Sequence, residues 1–241
     1  MIKNPVAVIT GAGRGIGRSI SIGLAQDGYK TVLISRTKKE LETVTEEIRS
    51  ILNPGQDLLP LVTPLDVTEP ECVNDLVSTV YKKFGRIDVL VNNAGLWISG
   101  SVNITIEEFN QLLDSNLKSA FYFLKEIIPI MERQEKGYIF NISSRAGKIG
   151  FMDSGGYSAA KFALRGLSES LCRELSPKGI KVTAICPGWV DTTMAQEADT
   201  PLSNEEMIHP DDIMKTIRWL LDLSPVVAIK DVLIECRNNI A

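Results

Sequence analysis

The chain has 241 residues, a formal net charge of −4, 44% hydrophobic and 23% charged residues. That is enough apolar material for a core, and it offers no basic field for nucleic acid or an acidic membrane surface. A single histidine, His209, leaves little for a metal site, and four scattered cysteines without a CxxC pair are expected to be reduced and mostly buried.

The start of the chain runs into an apolar strand without a charged-then-apolar leader pattern. The longest apolar stretch, 120–131, is interrupted by Lys125 and Glu126 and is too short to span a bilayer, so the cytoplasm is the default location. The first apolar run, PVAVIT (5–10), is followed by TGAGRGIG, Thr10 to Gly17. This loop does not fit G-x-G-x-x-G, because the sixth position from Gly11 is Ile16, but it fits G-x-x-x-G-x-G with Gly11, Gly15 and Gly17. Glycines there permit a tight turn and close approach to a pyrophosphate, and the helix that follows offers unpaired N–H groups and a positive dipole end. The second run, KTVLIS (30–35), ends on Ser35 and Arg36 where a carboxylate would read the ribose of NAD. With Arg14 in the glycine loop, two guanidinium groups suit a 2′-phosphate, so NADP(H) is the expected cofactor.

Helical periodicity follows over 38–52, with Leu41, Val44, Ile48 and Ile51 on one face, and over 69–85, with Val73, Leu76, Val77 and Val80 and a stop at Gly85. Runs at 58–65, 87–95, 137–143, 180–186 and 231–236 are mostly continuous Val/Ile/Leu, as in strands buried on both faces. Further helices are expected at about 105–133, 155–176 and 210–222, and the polar stretch 194–209 lacks a clear period and reads as a mobile loop. Alternating strands and helices argue for right-handed βαβ units and one parallel sheet covered on both faces. In the helix over 155–176, Tyr157 and Lys161 are four residues apart and share a face.

Several motifs in fixed order make the chain resemble the short-chain dehydrogenase/reductases over nearly its whole length. They are TGAGRGIG, LDV (65–67), NNAG (92–95), SNLKS (115–119), NISSRAG (141–147), YSAAK (157–161) and PGWVDTTM (187–194). The resemblance implies one α/β domain over 1–241, a Rossmann fold with a doubly wound, parallel seven-stranded sheet flanked by helices, and a short substrate loop at about 194–209. It implies a catalytic set of Asn116, Ser144, Tyr157 and Lys161. Ser144 is preferred to Ser143 because the family's serine lies thirteen residues before the tyrosine. The implied cofactor residues are Gly11, Gly13, Arg14, Gly15, Ile16, Gly17, Ser35, Arg36, Asp66, Val67, Asn93, Ala94 and Gly95. Tyr157, Lys161, Pro187, Gly188, Val190 and Thr192 complete that set, and no metal is implied.

The implied reaction is NADPH-dependent reduction of a small-molecule carbonyl, of 3-oxoacyl-carrier-protein-reductase-like or sepiapterin-like type; a non-catalytic NADPH sensor is the rival reading. Tyr157 acts as the acid. Lys161 and an oxidised nicotinamide are expected to draw its pKa down from about 10 by roughly three units. Ser144 donates to the substrate oxygen. Asn116 holds a water that relays protons from Lys161. Trp97, Phe151, Met152, Trp189 and Met194 are candidates for an apolar pocket, whereas Arg145 and Lys148 are expected to be solvated surface cations.

Two departures from the family stand out: the loop after PGWVDTTM is short, arguing against a large lid, and DVLIECRNNIA lacks an Asp-Gly-Gly ending. The helices over 105–133 and 155–176 resemble the family's subunit interface, which implies a homodimer or homotetramer. Phe121, Phe123, Leu124, Ile128, Phe162, Leu164, Leu167 and Leu171 are candidate contacts.

Overall fold

Val6 and Val8 face one side of the first strand and Ala7 and Ile9 the other, and all four are buried. A strand covered on both faces belongs inside a sheet with helices above and below it. A computed structural model describes residues 4–53 and 58–240 and places this strand, β1 (Val6–Thr10), near the middle of a seven-stranded sheet. The others are β2 (Lys30–Ser35), β3 (Leu61–Pro64), β4 (Val89–Asn92), β5 (Gly137–Ile142), β6 (Ile180–Pro187) and β7 (Asp231–Ile234). All neighbours pair in parallel, in the order β3-β2-β1-β4-β5-β6-β7. The expected fold class is the one observed.

Eight α-helices connect the described strands: α1 (Gly15–Gln26), α2 (Lys38–Ile51), α3 (Pro70–Phe84), α4 (Ile106–Leu113), α5 (Ser119–Gln134), α6 (Gly155–Leu175), α7 (Thr193–Glu197) and α8 (Pro210–Asp222). One core packs α1, α2 and α8 through Leu24, Leu41 and Ile217 against Ile9, Leu33 and Phe140 of the sheet. The other packs α3, α5 and α6 through Val77, Phe123 and Cys172 against Val8, Ile34 and Ile139. Helix α3 starts on Pro70 and stops where Gly85 adopts a φ of 73° and returns its N–H to the Tyr81 carbonyl at 2.8 Å.

The helix expected over 105–133 is broken. Thr105 and Glu108 close a capping box at the start of α4, and a π-helical turn over Asp114–Lys118 then separates α4 from α5. A π-turn adds a residue per turn and re-aims the side chains within it, and this one holds Asn116. The segment 194–209 is also more ordered than expected. It contains most of α7, a 3₁₀ turn at Asn204–Glu206, and Ile208, which bridges to Val190. A capping box between Ser203 and Glu206 supplies local order that apolar periodicity does not register.

The candidate interface residues divide by face. Phe123, Leu124 and Leu164 belong to the chain's own interior, and Ile128, Leu167 and Leu171 pack partly against it, leaving Phe121 and Phe162 exposed. All four cysteines are free, and Cys172, Cys186 and Cys236 are buried as expected, whereas Cys72 is exposed. Among the described residues no helix is long and apolar enough to cross a membrane.

Candidate active site

The sheet order reverses direction at β1, which lies between β2 and β4. The loops leaving β1 and β4 therefore part to opposite sides and leave a crevice at the carboxyl ends of the strands. A polar clip holds its floor. Thr10 Oγ1 accepts from the N–H groups of Asn93 (2.9 Å) and Ala94 (3.0 Å), and Asn93 Nδ2 donates to the carbonyls of Thr10 (3.0 Å) and Gly11 (3.1 Å). Asn93 is thus spent on the protein, and Thr10, not among the expected site residues, is half of the clip.

Above this clip lies a cavity of about 1240 Å³. Gly11, Gly13, Arg14, Gly15 and Ile16 line one end, with Ser35, Arg36, Asp66 and Val67 beside them. The loop has no room for side chains: a Cβ on Gly17 would lie 2.0 Å from the Gly11 carbonyl oxygen, and Gly11 itself has a φ of 62°. Helix α1 begins there with no side-chain cap and no acidic residue in its first turn, so its N–H groups are open to an anion. The exposed side chains of Arg14 and Arg36 make no hydrogen bond or ion pair among the described residues. The Thr68 N–H, at 3.0 Å, holds the Asp66 carboxyl below its ordinary range, with the Arg36 charge adding to that effect. A cradle without side chains, an open helix end and two unengaged guanidinium groups fit a phosphorylated dinucleotide. Glu40 also lines this corner, and a Cβ on Gly13 would lie 2.7 Å from its Oε2. This carboxylate comes from the first turn of α2 and not from the end of β2, where the pattern of the second strand places the ribose-reading residue.

Gly95 lies where the cofactor strip meets the rest of the cavity. A Cβ there would lie 2.5 Å from Asn116 Oδ1 and 3.5 Å from Lys161 Nζ. Asn116 is buried behind the cavity wall and donates to the carbonyls of Leu96 (2.8 Å) and Leu112 (3.0 Å), leaving its Oδ1 buried without a partner. Lys161 is buried and donates to the Ile142 carbonyl at 3.0 Å. Burial lowers its pKa to about 8, with the nearby Cys186 thiol working in the opposite direction.

The two adjacent serines have separate surroundings, as expected for alternate faces of an extended segment. Ser143 is buried and donates to the Lys161 carbonyl at 3.0 Å. Ser144 opens a 3₁₀ turn over Arg145–Gly147, accepts from the Ala146 N–H at 3.0 Å and lines the cavity beside the Tyr157 phenol. Burial pushes that phenol up to about 12, and the Ser144 hydroxyl pulls the other way. The expected acidic tyrosine draws on Lys161 together with an oxidised nicotinamide; in the protein by itself the phenol is shifted the other way. The Lys161 ammonium lies 5.6 Å from the centroid of the Tyr157 ring, engaged with a carbonyl, and desolvation of the phenolate prevails.

Pro187, Gly188, Val190 and Thr192 complete the cavity at the end of β6, with Thr192 packed so that a Cβ on Gly15 would lie 2.9 Å from its Cγ2. Trp97, Phe151, Met152, Trp189 and Met194 all line it, as do Ala94, Gly95, Ser144, Tyr157 and Lys161; Gly17 and Asn116 stand behind it. Arg145 and Lys148 are not solvated cations. Arg145 is buried against Asn239 and Phe151, and Lys148 pairs with Asp231 at 2.6 Å. Among the described residues no cluster of three metal-ligating side chains exists.

The profile of the family described as short chain dehydrogenase matches residues 5–202. An uncharacterized oxidoreductase of Staphylococcus aureus (strain MW2) is 33% identical over 233 residues, covering 96% of this chain and 97% of that protein. The crystal structure of a betaketoacyl-ACP reductase (FabG) from Bacteroides thetaiotaomicron superposes with a TM-score of 0.87 at 44% identity, covering 98% of each chain. An alcohol dehydrogenase from the archaeon Thermococcus sibiricus, complexed with 5-hydroxy-NADP, superposes with a TM-score of 0.88 at 30% identity over 99% of each chain.

Proposed function

The chain belongs to the short-chain dehydrogenase family, and on that premise we propose that it is an NADPH-dependent reductase converting a ketone to the alcohol, with a 3-oxoacyl thioester as the leading substrate class. The observation that carries this reading is the convergence of Ser144, Tyr157 and Lys161 on one cavity wall, with the buried Lys161 ammonium over the Tyr157 ring. When bound, the reduced nicotinamide supplies the hydride. Arg14 and Arg36 would hold its 2′-phosphate, and the open N–H groups at the start of α1 would meet its pyrophosphate.

Tyr157 is the acid. At about 12 its phenol is protonated at neutral pH and ready to donate to the carbonyl oxygen as charge develops there. Ser144 donates to the same oxygen, and Lys161 keeps a positive charge near the phenolate that Tyr157 leaves behind. The unpartnered Oδ1 of Asn116, across Gly95 from Lys161 Nζ, is the acceptor for a water that returns a proton to the site. The 44% identity to a betaketoacyl-ACP reductase supports the thioester class, and the neighbour carrying 5-hydroxy-NADP supports the cofactor. A cytoplasmic homodimer or homotetramer accords with free cysteines and with the exposed Phe121 and Phe162 on the outer faces of α5 and α6.

The test is loss of reduced-nicotinamide absorbance against an acetoacetyl thioester, a diketone, an aromatic aldehyde and a pterin ketone, with NADH in parallel. Turnover of the thioester with NADPH preferred is the expected result. NADPH binding with no carbonyl reduced would move the protein to the sensor class. Sedimentation showing only a 26.5 kDa species would rule out the oligomer.

A further inference from the structure

Arg145 follows Ser144 directly, and its side chain turns into the protein and away from solvent, with a relative exposure of 8%. A buried guanidinium needs acceptors for its N–H groups. Its two terminal nitrogens both go to one residue: Nη1 donates to the Asn239 main-chain oxygen and Nη2 to Asn239 Oδ1, the latter at 2.6 Å. Its plane lies over the Phe151 ring, 4.7 Å from the centroid, and its charge is met by Glu235 at 3.7 Å. Glu235 Oε1 is buried and has no hydrogen-bond partner, so the ion pair with Arg145 is what compensates that oxygen.

These contacts join two walls of one cavity. Phe151 and Asn239 both line it, the first from the segment after β5 and the second from the segment after β7. The segment after β7 is anchored upstream, where Gly188 N–H donates to the Ile234 carbonyl at 2.7 Å and Cys236 Sγ to the Trp189 carbonyl at 3.2 Å. Beyond Cys236 its end is held by the Arg145 fork, by Asn238 Nδ2, which donates to Glu206 Oε1 at 3.0 Å on the exposed side, and by a local turn in which Asn239 N–H donates to the Cys236 carbonyl at 2.9 Å.

We propose that Arg145 is a positioning residue that clamps the segment 235–240 against Phe151, so that the chain's own Asn239 forms a fixed part of the wall of the substrate compartment and limits the size of carbonyl admitted. The guanidinium is committed to that wall and does not serve as a receptor for an anionic substrate. Its fork is the reason the position takes arginine: a lysine has the charge but not two parallel donors. The kinetic part of the inference rests on the carbonyl-reductase reading, whereas the structural part does not.

The experiment uses the full-length protein and three variants, Arg145→Met, Arg145→Lys and Asn239→Ala, with hydrogen–deuterium exchange and kinetics side by side. In Arg145→Met the peptide covering 235–240 is expected to lose protection, and the KM of a small neutral ketone to rise about tenfold to a hundredfold. In the same variant kcat should change less than about threefold and the NADPH dissociation constant less than about twofold. A bulkier ketone that the wild type handles poorly should gain relative to the small one.

Arg145→Lys should behave like Arg145→Met, and Asn239→Ala should reproduce the same changes in weaker form. Asn239→Ala, a change close to the chain end, carries the test if the Arg145 variants do not fold. Protection of 235–240 unchanged in the variants overturns the proposal. So does a KM effect confined to keto acids and rescued by lysine, which would make Arg145 an anion receptor. If the wild type binds NADPH and reduces no carbonyl, the reductase reading fails, and exchange over 235–240 still decides for or against the clamp.

Discussion

Lys161 Nζ donates to the Ile142 carbonyl at 3.0 Å and lies 5.6 Å from the centre of the Tyr157 ring, so the ammonium sits over the ring, engaged with the main chain. The two side chains share a helical face because they are four residues apart near the start of α6. The sheet then decides where that face points, because the lysine is anchored to the end of β5. Lys161 therefore supports a charge that forms on Tyr157 during the reaction and does not create one beforehand. Tyr157→Phe keeps the ring and its packing and removes only the O–H. It should lower kcat by about 10²-fold to 10⁴-fold, the scale of a general acid, while a fluorescence titration still gives NADPH binding within about twofold of the parent. Residual turnover within about tenfold of the parent would take Tyr157 out of the proton transfer.

The pH profile separates the two groups. A lysine is charged below its pKa, and burial has lowered that of Lys161 to about 8, so the ammonium is present at neutral pH and is lost as pH rises through that value. Tyr157, pushed up to about 12, keeps its proton over the same window. With carbonyl saturating, kcat/KM for NADPH should be level below the Lys161 value and fall about tenfold per pH unit above it, since this ratio reports the free enzyme. A profile level up to about pH 10, the ordinary range of lysine, would remove the lowered lysine from the mechanism.

How far the sequence could be read follows from what each signal depends on. Periodicity found the buried strands, because β1, β4 and β5 are covered on both faces and are almost uninterrupted in apolar residues. Edge strand β3 is only half-buried and is shorter than its apolar run, Leu61–Pro64 against 58–65. The tyrosine–lysine pair was visible because helical spacing alone brings it together. The π-turn around Asn116 was not, because it arises where α4 and α5 join against α6 and leaves no mark in the period of the sequence. Arg145 was misread for a related reason: its partner Asn239 is 94 residues away, and nothing local announces a guanidinium that is to be buried. The burial of Tyr157 is not legible either, because spacing reports proximity of charge and says nothing of desolvation.

Arg36 tests the cofactor assignment. It is exposed at the end of β2 with no side-chain hydrogen bond or ion pair among the described residues, and its charge reaches Asp66, just past the end of the neighbouring β3. Arg36→Asp replaces a donor to a 2′-phosphate with an acceptor for a ribose hydroxyl. The ratio of kcat/KM for NADPH over NADH should fall by about tenfold to a hundredfold, the range of one charge-assisted hydrogen bond. Because Arg14 remains at the same corner, the switch should be incomplete, and Arg14→Ala combined with Arg36→Asp should take it further. A ratio unchanged in both the single and the double variant would mean that neither guanidinium meets a phosphate and that Glu40, beside Gly13, sets the preference at this corner.

Gly17 tests whether the cradle is shaped by close packing or by conformation alone. It sits in the first turn of α1, where an added Cβ would lie 2.0 Å from the Gly11 carbonyl oxygen and 2.6 Å from Asn93 Nδ2. Both atoms belong to the clip joining β1 to β4, so neither moves without loosening the other. Gly17→Ala should therefore destabilise the fold by about 1–3 kcal/mol, as overpacking does, and lower Tm by about 2–4 °C for each kcal/mol. Ordinarily alanine is the better helix former by about 1 kcal/mol, so a simple helix-propensity account predicts the opposite sign. Thermal unfolding of the variant beside the parent decides between them. A Tm that rises would mean that the Gly11–Asn93 clip yields to the methyl group and that the glycine is there for the ligand alone. A Tm that falls, with NADPH affinity falling alongside it, would place the close approach of α1 to β1 at the root of both stability and cofactor binding.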